Sequence, residues 1–248
     1  MRIFGLIGYP LGHSFSSAFF NEKFRREGYN AIYKNFEISS LSELSSILEL
    51  NRDIEGLNVT IPYKREIIKY LDKLDPLADK IGAVNVVGIQ RDKRGLKMSG
   101  YNTDIVGFTE SLKPVLKPSV KRALVLGTGG SSLAVRKGLS ILGIEFKTVS
   151  RDHDRGDFVY KDINSDIIRS NPLIINTTPL GMLPEISSLP AIPYEYLTED
   201  NILYDLVYNP GQTAFLSKGK DRGCTVIGGM EMLRIQAENA WDIWNRQY

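Results

Sequence analysis

Ala123-Leu124-Val125-Leu126-Gly127-Thr128-Gly129-Gly130-Ser131-Ser132 is the stretch on which the fold turns. Four apolar residues without a charge read as a short buried strand. They run into a glycine turn, and a helical pattern follows from Ser131 to Leu142. Strand, glycine turn and helix open a dinucleotide-binding unit: the glycines let backbone approach a pyrophosphate, and the helix start offers free N–H donors and a partial positive charge. The same pattern also serves as a plain tight turn, so the next strand matters. Phe146 to Val149 reads as that strand and ends at Ser150-Arg151, with Arg155 four residues on. An NAD site usually carries Asp or Glu here, whereas arginine suits the 2′-phosphate of NADP. Two arginines therefore predict NADP. Ser132 stands where the usual pattern has a third glycine, which predicts looser helix–strand packing, and Asp152 sets a negative charge beside the phosphate position.

Working outward, 248 residues allow one large domain or two ordinary ones. An apolar content of 42% with 24% charged residues is that of a soluble globular protein, and a net charge of +2 is too small to argue for nucleic acid or a membrane surface. Cys224 is the single cysteine, which excludes an internal disulfide and favours a reducing, cytoplasmic setting. No apolar run reaches the ~20 residues of a spanning helix, and Arg2 to Gly5 enters a strand pattern directly, without the look of a signal peptide. With only His13 and His153, a histidine metal site or a Ser-His-Asp triad is not expected.

The first half alternates strand and helix. Ile3 to Gly8 reads as a strand, and a turn at Tyr9-Pro10-Leu11-Gly12 leads through Ser14 and Ser16 into a helix over Ser17 to Glu27. One N-cap needs one serine, so Ser14 and Ser16 fit two readings, capping groups or ligand donors at a strand end. A strand at Ala31 to Phe36, a helix at Ser40 to Leu50 and a strand at Gly56 to Ile61 follow. Pro62 is then expected to open a helix at its first position, with Lys64 in the first turn, where a cation opposes the helix dipole. Lys64 reads equally as a solvated surface charge. Ala83 to Val87 is a strand with Asn85 inside it, Arg91 to Gly95 a charged hairpin turn, and Thr103-Asp104 natural cap residues for a helix near Ile105. Beyond the cofactor unit come strands at Leu173 to Asn176, Ile202 to Val207 and Thr225 to Ile227, and a closing helix from Met232 to Trp244.

Ser14, Ser16, Asn58, Thr60, Lys64, Asn85, Asn102 and Asp104 all fall at expected strand ends or helix starts. So many hydroxyls and amides suit a small, hydroxyl-rich anionic substrate. The segments GYPLGHSFSS, GLNVTIPYK, IGAVNVV, GYNTDIVGF, LGTGG, SRDHDR, NTTPLGM, DLVYNPGQT and GGMEMLRIQA, in this order and spacing, resemble the shikimate dehydrogenase family along nearly the whole chain. That resemblance implies a two-domain α/β fold: a substrate-binding and catalytic domain (1–102 plus 230–248, the last helix returning to it) and a Rossmann-type NADP domain (103–229). It implies NADPH-dependent reduction of 3-dehydroshikimate to shikimate, in the route to chorismate and aromatic amino acids. The expected partners are that small-molecule substrate and NADP, without nucleic acid, membrane or metal, in a monomer or homodimer.

Carried onto this chain, the family pattern implies Lys64 and Asp104 as the catalytic pair. Ser14, Ser16 and Tyr208 would hold the substrate carboxylate; Thr60, Asn85 and Gln236 would hold ring hydroxyls. Gly127, Gly129 and Gly130 would cradle the pyrophosphate, and Ser150, Arg151 and Arg155 the adenosine phosphate. The chain departs from the family in three places. Ser150-Arg151-Asp152 replaces the usual Asn-Arg-Thr, Ser131 replaces an alanine, and Gly228 replaces an aspartate. Asp152 leans toward NAD, and a quinate or quinate/shikimate dehydrogenase using NAD is the neighbouring alternative. A non-catalytic NADP-binding regulator on the same fold would be expected to lack Lys64 or Asp104, and both are present.

Overall fold

The computed structural model describes residues 1–12, 15–93 and 95–246. They form two compact units, one of residues 1–103 with the chain from Gln236 onward, the other of Asp104–Ile235.

The first unit contains β1 (Arg2–Gly8), α1 (Phe15–Glu27), β2 (Ala31–Glu37), α2 (Leu44–Leu50), β3 (Ile54–Val59), β4 (Lys73–Leu74), α3 (Pro76–Ile81), β5 (Val86–Asp92) and β6 (Gly95–Tyr101). Its sheet runs β2-β1-β3-β5-β6-β4. β1 pairs in parallel with β2 and β3; β5 is antiparallel to β6, as the charged hairpin turn near Arg91 predicts, and also antiparallel to β3. Ile7, Leu57, Val59 and Val87 pack on one face with Leu41, Leu44 and Tyr63. Phe4, Tyr33 and Val86 pack on the other with Phe20 and Phe24 of α1.

Pro62 does not open a helix. Residues 61–65 form turns, followed by a short 3-10 segment at Glu66–Tyr70. Tertiary burial overrides the local signal here: Tyr63 is buried, and its hydroxyl donates to the Ile38 carbonyl at 2.7 Å. Lys64 therefore sits in a turn, and the helix-dipole argument does not apply to it. Asn85 lies just before β5 rather than inside it, yet its backbone still joins both neighbours, accepting from Val59 N and donating to Tyr101 O.

The second unit contains α4 (Asp104–Leu112), β7 (Arg122–Leu126), α5 (Gly130–Ile141), β8 (Glu145–Ser150), β9 (Phe158–Val159), α6 (Ser165–Ser170), β10 (Leu173–Asn176), β11 (Ile202–Asp205), α7 (Ala214–Lys220) and β12 (Thr225–Ile227). Its six strands are parallel in the order β12-β11-β10-β7-β8-β9. This is the Rossmann arrangement, and the order reverses between β7 and β10, where the carboxyl ends of the strands leave a ligand crevice. Ala123 to Leu126, Leu173 to Ile175 and Ile202 to Tyr204 are almost wholly buried, as strands covered on both faces must be.

The unit border falls inside the last helix, α8 (Met230–Asn245), so residues 230–235 group with the second unit rather than the first. From Gln236 on, α8 lies on the first sheet. Trp244 stacks on Phe4 with ring centroids 4.8 Å apart, and its indole N–H donates to Val87 O at 3.1 Å. Gly56 lies directly beneath the indole, where a Cβ would collide with it. No helix among the described residues is long and apolar enough to cross a membrane.

Candidate active site and cofactor cradle

In the second unit, the glycine turn, the end of β8 and the loop after β10 enclose a cavity of about 340 Å³. Gly127 has φ +103, a conformation that L side chains rarely adopt, and a Cβ there would lie 2.9 Å from both Thr177 Oγ1 and Thr178 Cγ2. Gly129 is the N-cap of α5 and has no side-chain cap, and a Cβ at Gly129 or Gly130 would point into open space. Bare backbone thus faces the cavity at a twelve-residue helix start, where N–H groups and dipole favour an anion. Ser132, at the usual third-glycine position, is fully buried, and its hydroxyl donates to Gly129 O at 2.7 Å.

The predicted phosphate residues belong to the same cavity. Ser150, Arg151, Asp152 and Arg155 all line it. Ser150 is buried at the end of β8, and its hydroxyl accepts from Asp152 N at 3.3 Å. Arg151 and Arg155 are exposed, two cations against the single carboxylate of Asp152. Tyr160, which sequence reading missed, also lines the cavity. Burial pushes its phenol up, and the Arg151 cation pulls it part of the way back. An anion cradle and a guanidinium pair lining one cavity fit a dinucleotide carrying an extra phosphate.

In the first unit, Thr60, Lys64 and Asn85 lie at the carboxyl end of β3. Thr60 is half-buried and its N–H donates to Ile7 O at 3.0 Å. Lys64 is half-buried, and its carbonyl accepts from Val84 N at 2.7 Å, tying the lysine turn to the segment before β5. Asn102 holds that segment from the other side, donating to Ala83 O at 3.0 Å. Asn85 is 5% exposed and clasps Thr103: its Oδ1 accepts from Thr103 N at 2.7 Å, and its Nδ2 donates to Thr103 Oγ1 at 3.0 Å. Asp104, the next residue in the chain, is buried at the start of α4.

Ser16 lies in the first turn of α1, and its hydroxyl meets that of Tyr33. Tyr33 is buried, which raises its phenol well above the usual range, and it donates to Asn58 Oδ1 at 2.7 Å. Ser16 is thus anchored through Tyr33, a residue of β2 that nothing in the sequence singles out. Ser14 lies outside the described residues. Gln236 is half-buried on α8; Tyr208, in the second unit, is half-buried in the loop after β11. Among the described residues, no group of three His, Cys, Asp or Glu is placed to hold a metal ion.

Residues 6–87 match the model of the shikimate dehydrogenase substrate binding domain. A shikimate dehydrogenase (NADP(+)) of Halothermothrix orenii is 35% identical over 98% of this chain and 90% of its own. The structure of shikimate 5-dehydrogenase from Thermus thermophilus, in complex with NADP(H) and shikimate, superposes with a TM-score of 0.84 at 33% identity, covering 98% of this chain and 93% of that one. A quinate dehydrogenase from Corynebacterium glutamicum in complex with NAD shares the fold at a TM-score of 0.86 but with 26% identity, over 98% and 93% of the two chains. With both units, the parallel second sheet and near-full-length likeness in place, the chain belongs to the shikimate dehydrogenase family.

Proposed function

We propose that this chain is an NADP-dependent oxidoreductase that reversibly reduces 3-dehydroshikimate to shikimate, acting in the cytoplasm on the route to chorismate and the aromatic amino acids, as a monomer or homodimer. The observation that carries the reading is the cavity of the second unit, lined both by glycine backbone and by Arg151 and Arg155. The near-full-length relatives are NADP-dependent shikimate dehydrogenases, which supports the same substrate and cofactor.

The first unit, with α8, is the substrate domain and the second the cofactor domain. Gly127, Gly129 and Gly130 receive the pyrophosphate, and Ser150, Arg151 and Arg155 the 2′-phosphate. The bound nicotinamide supplies or takes the hydride. The proton is the protein's task. Lys64 donates it to the carbonyl oxygen during reduction and takes it back during oxidation, while Asp104 accepts a hydrogen bond from the reacting hydroxyl and orients it. General acid–base help of this kind is typically worth ~100 to 10,000-fold. Ser14, Ser16 and Tyr208 hold the carboxylate, and Thr60, Asn85 and Gln236 the ring hydroxyls. Tyr33 fixes Ser16, and the Asn85–Thr103 clasp fixes the backbone from which Asp104 projects.

Lys64→Ala tests the proton assignment. Turnover of shikimate with NADP+ is expected to fall at least 100-fold, with the NADP+ dissociation constant within about twofold of wild type. Near-normal turnover would remove Lys64 from the mechanism.

A further inference from the structure

A fully buried carboxylate stands behind the cofactor cavity without lining it. Asp205 ends β11 level with Asn176, the last residue of β10, and both are 0% exposed. Its Oδ1 accepts from Asn176 Nδ2 at 2.9 Å and Val207 N at 3.0 Å, and its Oδ2 accepts from Thr213 Oγ1 at 2.6 Å. Burial pushes this carboxyl up to about 6, against the pull of those three donors, so it is ionised at neutral pH. An ion so placed is a costly way to fill a strand end, and its worth lies in what it holds.

It holds Asn176, and Asn176 shapes the cofactor loop. The Asn176 amide donates to Leu180 O at 3.2 Å as well as to Asp205. Its Oδ1 accepts from Thr178 N at 3.0 Å and Thr178 Oγ1 at 2.6 Å. Thr178 Oγ1 in turn accepts from Leu180 N at 3.3 Å. Thr178, Pro179 and Leu180 line the cavity, and Thr178 Cγ2 sits against Gly127, 2.9 Å from where a Cβ on it would lie. With both its donor and acceptor capacity used inside the loop, Thr178 acts as a wall whose position Asn176 sets. The amide of Asn176 is turned the right way round because a carboxylate, which can only accept, faces its NH2 group.

We infer that Asp205 is a positioning residue for the cofactor: by fixing Asn176 it holds the 176–180 loop in the shape that admits NADP(H), so its loss is read as weakened cofactor binding rather than as slowed chemistry. The inference rests on the NADP reading above. A merely structural Asp205 would lower thermal stability and leave the affinity of the folded protein unchanged.

Calorimetric titration of the intact protein with NADP+, in the absence of substrate, separates these. Asp205→Ala is expected to raise the dissociation constant at least tenfold and to raise the KM for NADP+ in parallel, with kcat at saturating NADP+ within threefold and the KM for shikimate within twofold. Asp205→Asn can keep its carbonyl toward Asn176 and Val207 while its NH2 turns to Thr213 Oγ1, so it is expected to bind NADP+ within threefold of wild type. Thr178→Val cuts the hold at its other end in a half-buried position and keeps the test open if the alanine variant does not fold; it is expected to weaken NADP+ at least fivefold. Unchanged affinity in Asp205→Ala, or in Thr178→Val should the former not fold, would overturn the inference. An Asn variant as weak as the Ala variant would also overturn it. Absence of NADP+ binding by the wild type would instead strike the cofactor reading itself.

Discussion

Two neighbouring glycines should respond to the same substitution in opposite ways. Gly127→Ala places a Cβ on a backbone with φ +103 and within 2.9 Å of two side chains. Neither neighbour can step aside freely: Thr177 Oγ1 donates to Leu126 O at 2.8 Å, and Thr178 Oγ1 donates to Asn176 Oδ1 at 2.6 Å. Positive φ in a non-glycine residue costs about 1–2 kcal/mol, and overpacking about 1–3 kcal/mol. Against these, Gly→Ala stiffens the unfolded chain by about 0.4–1 kcal/mol. We expect a net loss of about 2–4 kcal/mol, seen as a melting temperature lower by on the order of 10 °C for a chain of this size. Gly129→Ala meets nothing within 4 Å and keeps an ordinary φ of −77. Its stability without ligand should stay within about 0.5 kcal/mol of wild type. Its Cβ, however, projects where the pyrophosphate must approach, and tenfold weaker NADP+ binding is the least we expect, about 1.4 kcal/mol. Thermal melts with and without NADP+ read both effects. At an NADP+ concentration 100 times the wild-type dissociation constant, wild type gains about 2.7 kcal/mol and Gly129→Ala about 1.4 kcal/mol. A Gly129→Ala protein that is as strongly stabilised by NADP+ as wild type would refute the cradle. So would one that loses more stability than Gly127→Ala.

Three further outcomes are expected. Arg151→Ala should weaken NADP+ at least tenfold more than NAD+, and equal weakening of both would sink the 2′-phosphate assignment. Trp244→Ala should cost about 3–5 kcal/mol in urea melts, because the indole fills the space over Gly56 and bonds Val87 O; a loss under 1 kcal/mol would mean α8 is not part of the first core. The stability gap between wild type and Asp205→Asn should depend on pH. The folded carboxyl titrates near 6, above its unfolded value of about 3.9, so the folded state holds the extra proton between those values. Wild type should therefore gain on the variant as pH falls from 7 to 4, by on the order of 2 kcal/mol. The Tyr194 phenol nearby, pushed up by burial and by the Asp205 charge, stays neutral throughout. A gap that is flat with pH, or that moves the other way, would show that Asp205 is not held at a raised value.

The second unit was legible because its signals are local. Charge-free strands, a glycine turn and a run of Ser150, Arg151 and Arg155 each declare themselves within a few residues, and the structure collects them around one cavity. Pro62 misled for the same reason. A proline suits a helix start and a turn alike, and the choice was made by Tyr63 reaching the Ile38 carbonyl, 25 residues away in sequence. Tyr33 and Asp205 were invisible as working residues because their partners are equally remote: Asn58 lies 25 residues from the one, and Asn176 lies 29 from the other. A clue did exist for Asp205. A carboxylate inside Ile202-Leu203-Tyr204-Asp205-Leu206-Val207 has no place in a buried strand unless donors meet it.

The most direct test compares kcat/KM for shikimate and quinate, each with NADP+ and with NAD+, by the rise in nicotinamide absorbance. We expect shikimate with NADP+ to exceed each of the other three combinations at least tenfold, a difference of about 1.4 kcal/mol in transition-state stabilisation. Comparable values with quinate or with NAD+ would contradict that specificity and direct attention to Asp152, the carboxylate beside the two arginines.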